Sequence, residues 1–552
     1  MSLAPYSGPF GTEELRHLLR RTLFGCTQAD LQHFEGDSLE EVLDALFDFS
    51  NDTTPPLKTY WELNGNTPDP TLVDPDVPFG ATWVDTVRDP GLAIDPSGAR
   101  IVSFLSWRTG LMAQQDRTLR EKLVLFWHNH MPVNAFEVFV PEFVLSYDQL
   151  LRTNAKGNFR ELMYEVTVNG AMLMYLNGYL NSAQAADENY ARELMELFTL
   201  GEGSGYTESD VQAAARVLTG WTIRFQDGGT PILPETIFVP FLHSSEDKVF
   251  SPFFNNTVIA GQVGASAGPA ELNALLDMIF LKEEVSLFIC RELHRYFVHG
   301  EIDTVVEEEV IVPMAQLFRD HAADPDQMGI VLRALLRSEH FFSAQIRACM
   351  VKSPADLVVG QVRQTALPLP GPAQVEAQYA AWLQLYWLMG YCGQELMAPP
   401  NVAGWPAYYQ YPQYDDIWMD TATYPARKNS LQGILYSGFS TDDSLYQPES
   451  RNLEFRVDLP VLVSQFSDPM DPNALVRDLA ALFFALPLST AVLGQLKTNF
   501  LLLGQQNDVY WSDAYELYMA DPNTTNMTAQ LVPDILMWLM LDMAGAAEIQ
   551  LH

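Results

Sequence analysis

The feature that most constrains this chain is the persistence of helical periodicity. Across residues 101–221 and again across 271–344, apolar side chains recur at three- and four-residue intervals, the first stretch being broken by turn signals at Gly157, Gly170, residues 177–181 and residues 201–205. That period sets one face of each segment against a core, whereas a strand would alternate every second residue. The N-terminal segment is of the same kind: Leu15, Leu18, Leu19 and Leu23 share a face flanked by Arg16, Arg20 and Arg21, with Thr12 placed as a cap. Past Thr207, a capping-box Asp210 precedes Val211, Ala214, Ala215 and Leu218. Gly220 then marks the stop, expected in a left-handed conformation with Trp221 folded back onto Leu218. The expectation is an all-α protein, a large multi-helix bundle with long irregular loops and a small β insertion.

The interruptions set the organisation. Eight prolines between Pro55 and Pro96 block any helix in residues 49–98, where Trp61 and Trp83 are available to pin an irregular excursion. Residues 222–270 mix β-branched runs with Gly and Pro, the signature of a small hairpin insertion. A proline-containing break at 366–372 divides a main helical region, 1–365, from a C-terminal helical region, 366–552, which carries an aromatic loop at 399–427 and is expected to pack closely on the first.

Charge narrows the partners. Against 70 Asp and Glu stand 32 Lys and Arg, a formal net charge of -38. Neutralising phosphates needs the opposite balance, so no nucleic-acid partner is expected. The four cysteines are scattered without C-x-x-C spacing, so neither a disulfide framework nor a zinc ribbon is implied. The most apolar stretch, residues 531–547, contains Asp534 and Asp542, too many charges for a membrane span. The first ten residues show no leader pattern. A cytoplasmic protein is expected from the chain as given, or an exported one whose leader has been removed.

Four motifs stand out: Phe126-Trp127-His128-Asn129-His130; the fourteen residues from Glu188 to Gly201, centred on Arg192-Glu193-Leu194; Leu218-Thr219-Gly220-Trp221; and the eight residues from Pro399 to Pro406, which end Gly404-Trp405-Pro406. With Lys352-Ser353-Pro354 and Glu548-Ile549-Gln550-Leu551, they resemble the bacterial family catalogued as domain of unknown function 1800, over about residues 15–551. The resemblance implies no particular reaction. Two departures are visible: His243 is followed by Ser244 where the family pattern has His-Asp, which weakens a role for His243, and Met131 stands where an aromatic commonly follows His-x-His.

The candidate chemistry lies on the first two motifs. On a helix over 187–200, Tyr190, Leu194, Leu197 and Phe198 share a buried face, while Asn189, Glu193 and Glu196 form a polar stripe beside it. Carboxylates on one bundle helix joined by imidazoles from another make interior metal sites. A divalent metal ion held by His128, His130, Glu193 and Glu196 is therefore one expectation, with Glu193, Glu196 and His128 as catalytic groups of a hydrolase-like enzyme. The other reading of the same residues is structural. Arg192 sits at ion-pair spacing from both Glu188 and Glu196. Leu119, Leu123, Phe126, Trp127 and His130 share a helix face with His128 nearly opposite, which makes His130 a hydrogen-bonded core histidine and His128 a helix-end group.

Two further patterns complete the reading. Gly264-Ala265-Ser266-Ala267-Gly268 matches G-x-S-x-G, but no alternating β/α pattern surrounds it, and a flexible turn explains it as well. In the loop 399–427, Trp405, Tyr408, Tyr411 and Trp418 are interleaved with carboxamides and carboxylates, which suits a glycan or a protein partner. Equally, the rings can fold back over the bundle. A non-catalytic binding or assembly protein using this loop is the alternative to the enzyme.

Overall fold

The computed structural model describes residues 2–50, 53–442, 445 and 452–552. The protein is 52% helical, and among the described residues the strands form only small two-stranded sheets. One hydrophobic core runs from Leu15 in the first helix to Ile549 near the C-terminal end. It passes through both sides of the break at 366–372: the Val375–Tyr391 helix lies along Ser97–Ala113, and Pro354–Gln364 packs on Thr423–Tyr436.

The helical periods form helices where their caps allow. Thr12 is already helical, and it is the Gly11 N–H that Glu14 accepts, at 3.1 Å. The Glu208–Val217 helix has the Thr207/Asp210 capping box that its sequence announces. It stops at Val217, earlier than the apolar period suggests, because Leu218 and Thr219 are drawn into a turn. Gly220 does adopt a left-handed φ of 94°. A Cβ there would lie 2.9 Å from the Phe238 ring and 3.2 Å from the Val239 carbonyl. Trp221 opens a strand, and its ring packs on Phe238 at 5.3 Å.

That strand, Trp221–Asp227, pairs antiparallel with Thr230–Phe238 around Gly228 and Gly229. Lys248–Val249 pairs with Val258–Ile259, completing the β insertion. In the proline-rich excursion the order comes from one buried lysine. Lys58 Nζ donates to the carbonyls of Val73, Asp74 and Val77 at 2.7 to 2.9 Å, and the Asp74 carboxylate holds Arg100 of the neighbouring helix at 2.7 Å. Trp83 is fully buried beneath it while Trp61 stays exposed.

Candidate functional site

The Arg120–His130 helix ends at Met131 because Pro132 follows, and its last turn carries His128, Asn129 and His130, all buried. Each side chain meets a backbone group that has no partner in regular structure. His128 Nε2 lies 3.1 Å from the Val133 carbonyl, and His130 Nε2 lies 2.9 Å from that of Phe198. A carbonyl can only accept, so both Nε2 atoms carry the proton. Burial pushes both imidazoles down to about 4, with those same carbonyl bonds pulling weakly the other way, so both are neutral at pH 7. Asn129 Oδ1 accepts the Trp405 N–H at 2.9 Å. Gly404, at φ 83°, permits this approach: a Cβ there would sit 2.4 Å from the Asn129 carbonyl oxygen.

The Phe198 carbonyl is available to His130 because the second motif is not a uniform α-helix. Asn189–Glu193 is α, and Leu194–Thr199 widens into a π turn, a feature frequent at functional sites. Thr199 Oγ1 bonds the Leu194 carbonyl at 2.5 Å within it. Arg192 turns away, to Glu188 at 3.4 Å and Glu208 at 2.6 Å, and leaves Glu193 and Glu196 without a guanidinium between them. Burial first, and then the neighbouring charge of Glu196, raises Glu193 to about 6. Tyr206 donates to Glu196 at 3.4 Å, and burial with the charges of Glu137 and Glu193 lifts Tyr175 to about 12. This face therefore holds a carboxyl group suited to proton transfer near neutral pH.

The four sequence-expected ligands do not come together. His128 and His130 face backbone carbonyls, and Glu193 and Glu196 lie on the outer side of the π turn. Among the described residues, no group of three or more His, Cys, Asp or Glu side chains is arranged to hold a metal ion. The reason is local: the helix end and the widened turn each strand a carbonyl, and a buried imidazole N–H is the donor within reach.

The aromatic loop also departs from the open platform. Trp405, Tyr408 and Trp418 are buried, Tyr408 stacking on Tyr296 at 5.0 Å and meeting Trp418 edge-on at 5.9 Å. Tyr411 alone of the four is open, at 75% exposure. Trp405 backs onto the His128 ring at 5.9 Å. The buried rings nevertheless show edges to a cleft of about 330 Å³, whose wall contains Trp405, Trp418, Ile417, Glu395 and Thr423.

Other motif residues join the same interior. The Pro354–Gln364 helix is capped by Ser353, and its Asp356 takes the buried Lys122. Lys352 Nζ donates to the Ile549 carbonyl at 2.7 Å, and Arg427 bonds Gln550 at 2.7 Å. A group that sequence reasoning missed lies under the β insertion. Glu271, fully buried, pairs with Lys248 at 2.6 Å and with His243 at 3.1 Å. The available signal was that Lys248 closely follows His243 in the sequence. Ser266 is exposed at the start of the Ala267–Phe280 helix, apart from this group, and His243 Nδ1 is held by the Thr219 carbonyl at 2.8 Å.

These motifs, in this order and knitted into one core, coincide with a known pattern: a family model described as protein of unknown function (DUF1800) matches residues 17–525. The chain belongs to the DUF1800 family. No curated protein and no solved structure matches it. In this DUF1800 chain the His-x-His, Gly-Trp and Lys-Ser-Pro motifs are residues that join helix ends to one another. Among the described residues, no helix is long and apolar enough to cross a membrane.

Proposed function

We propose that the chain is a binding protein whose ligand enters the cleft at the aromatic loop, and that a glycan is the class of ligand it takes. The observation that carries this reading is that Trp405 and Trp418, only 3% and 5% exposed, still line an open cleft of about 330 Å³ together with Glu395 and Thr423. Indole edges give a sugar's C–H face an apolar wall, and a carboxylate and a hydroxyl fix its hydroxyl groups. Glu395 is held in place by Tyr386, whose hydroxyl donates to it at 2.9 Å. Indole emission titrated with a panel of neutral and acidic oligosaccharides tests it. At least one sugar gives a saturable change that Thr423→Val and Glu395→Gln weaken. A panel without any saturable response overturns the reading.

A second reading, an acid–base enzyme at Glu193, is favoured by that carboxyl's raised pKa and by the π turn beneath it. In that reading Glu193 moves the proton, and Glu196 keeps it from ionising early. A divalent cation would bind there through the two carboxylates and ligand oxygens, without the histidines. Titration of the Glu193 carboxyl by NMR, with and without magnesium, tests it: an apparent pKa near 4.5 in both cases removes the reading.

A further inference from the structure

A second cleft, of about 420 Å³, opens where the start of the Gln28–His33 helix, the turn after Ser97–Ala113 and the end of Pro354–Gln364 meet. Its volume lies within the range of small-molecule sites. It shares no residue with the aromatic cleft, and no aromatic residue lines it.

The walls have three kinds of group. The first is a pair of guanidiniums, Arg117 and Arg363, both drawn to Asp30, at 3.0 and 3.6 Å. Asp30 is itself committed to the backbone N–H of Thr27 at 3.1 Å, so one carboxylate is shared among three donors. Arg363 is nine-tenths buried and its Nε has no partner. The outward edge of Arg117 meets no acceptor among the described residues. Burial lowers the pKa of Arg363, and the charge of Arg117 lowers it further against the pull of Asp30.

The second is an orphaned amide. Gln115 lines the cleft, and both its Nε2 and its Oε1 are buried without a partner. Each such atom forfeits the hydrogen bond it made to water in the unfolded chain unless something supplies the missing bond. The third is aliphatic: Val362, Leu367, Leu369 and Leu462.

We propose that this cleft binds an α-carboxylate with a neighbouring N–H donor and an aliphatic side chain, that is, a free aliphatic amino acid or the last residue of a peptide. The carboxylate takes the outward edge of Arg117, where planar bidentate pairing is natural, while Arg363, whose Nη1 already donates to the Gln115 backbone carbonyl at 3.1 Å, contributes its charge and its unpaired Nε. The ligand's N–H and carbonyl or carboxyl oxygen satisfy both ends of the Gln115 amide, and its side chain lies on the leucines. Asp30 and the adjacent Asp116 disfavour a dianion such as phosphate. Stacking ligands find no ring here.

Isothermal titration of the full chain with L-leucine, glycyl-L-leucine, L-leucinamide and inorganic phosphate tests the assignment. Saturable heat with leucine or with the dipeptide is expected, and which of the two binds tells a free amino acid from a peptide end. Leucinamide, lacking the carboxylate, binds at least tenfold more weakly. Arg117→Gln weakens binding at least tenfold. Gln115→Leu, which keeps the volume but removes both amide atoms, does the same, and it serves as the independent check if the arginine variant does not fold. The proposal is overturned if neither carboxylate ligand gives heat, if leucinamide or phosphate binds as well as leucine, or if binding survives both substitutions. These outcomes are independent of the aromatic cleft, so the two readings stand or fall separately.

Discussion

The end of the Arg120–His130 helix and the π turn that follows Asn189–Glu193 meet at the hydrogen bond from His130 to the Phe198 carbonyl, yet they are opposite kinds of place. At the helix end every polar side chain is buried and matched to a stranded backbone group: His128 to Val133, Asn129 to Trp405, His130 to Phe198. On the outer face of the turn, Glu193 and Glu196 are half-buried, close to one another, and have no guanidinium between them. The first region has spent its chemistry on holding chain segments together. The second keeps a charge conflict that folding alone would remove. A motif rich in His and Asn is thus no guide to a reactive site until its hydrogen-bond partners are known.

The largest effect expected from disturbing the first region comes from Gly404→Ala. It puts a Cβ against the Asn129 backbone oxygen and imposes a side chain at φ 83°. It should cost about 3 kcal/mol or more, read as a lowered denaturation midpoint, since neither backbone can give way cheaply. A midpoint unchanged from the parent protein would mean that the Gly-Trp loop does not pack on the helix end.

The next effect is pH dependence. His128 and His130 have folded-state pKa values depressed to about 4, against about 6.5 in the unfolded chain. As pH falls below about 6.5 the unfolded chain takes up these protons first, so stability is lost progressively down to about pH 4, by roughly 3 kcal/mol per imidazole. Glu193 has the opposite sign. Its folded pKa is raised to about 6, so its contribution is present below about pH 4.5 and lost as pH rises from there through 6. Burial also holds His17, His294, His340 and His552 below the usual imidazole range, so denaturation midpoints from pH 4 to 7.5 should show a histidine slope in His128→Gln that is reduced by one imidazole's share and not abolished. An unaltered slope would place the acid sensitivity elsewhere.

A smaller loss is expected of Asn129→Ala. It orphans the buried Trp405 N–H and should destabilise by about 1 to 3 kcal/mol. Smallest is Glu193→Gln, which removes the charge conflict and should stabilise at pH 7 by about 1 kcal/mol, because solvent screens a half-exposed group. Its clearer mark is the disappearance of the Glu193 slope with the histidine slope intact. If Glu193→Gln destabilises instead, the carboxylate has a partner that this account omits.

Much of this was legible in the residues. The 3.6-residue period gave the bundle, Thr207 and Asp210 gave a helix start, and the Gly-Pro-rich run at 222–270 gave the hairpin. The π turn was not legible, because the apolar spacing of Leu194, Leu197 and Phe198 suits an α-helix equally well, and the widening depends on tertiary contacts. Nor was the fate of the imidazoles. Sequence spacing set them on one helix end, but their direction was decided by which carbonyls the neighbouring turns left unpaired. For Trp405, Tyr408 and Trp418 the interleaving of rings with carboxamides and carboxylates suited either an open platform or a folded-back cover, and burial against Tyr296 and His128 shows the rings folded back. Glu271 and Lys248 meet across 23 residues of irregular chain, a distance that no periodicity reports.

The most direct test of the central claim, that the two motif imidazoles join chain segments by donating from Nε2 to stranded backbone carbonyls, is ¹⁵N NMR of the His128 and His130 rings across pH 4 to 8, without and with one equivalent of zinc. The account predicts neutral rings protonated at Nε2 at every pH above about 4, with chemical shifts unmoved by zinc. A neutral ring protonated at Nδ1, a midpoint near 6.5, or a zinc-dependent shift at either Nε2 would contradict it.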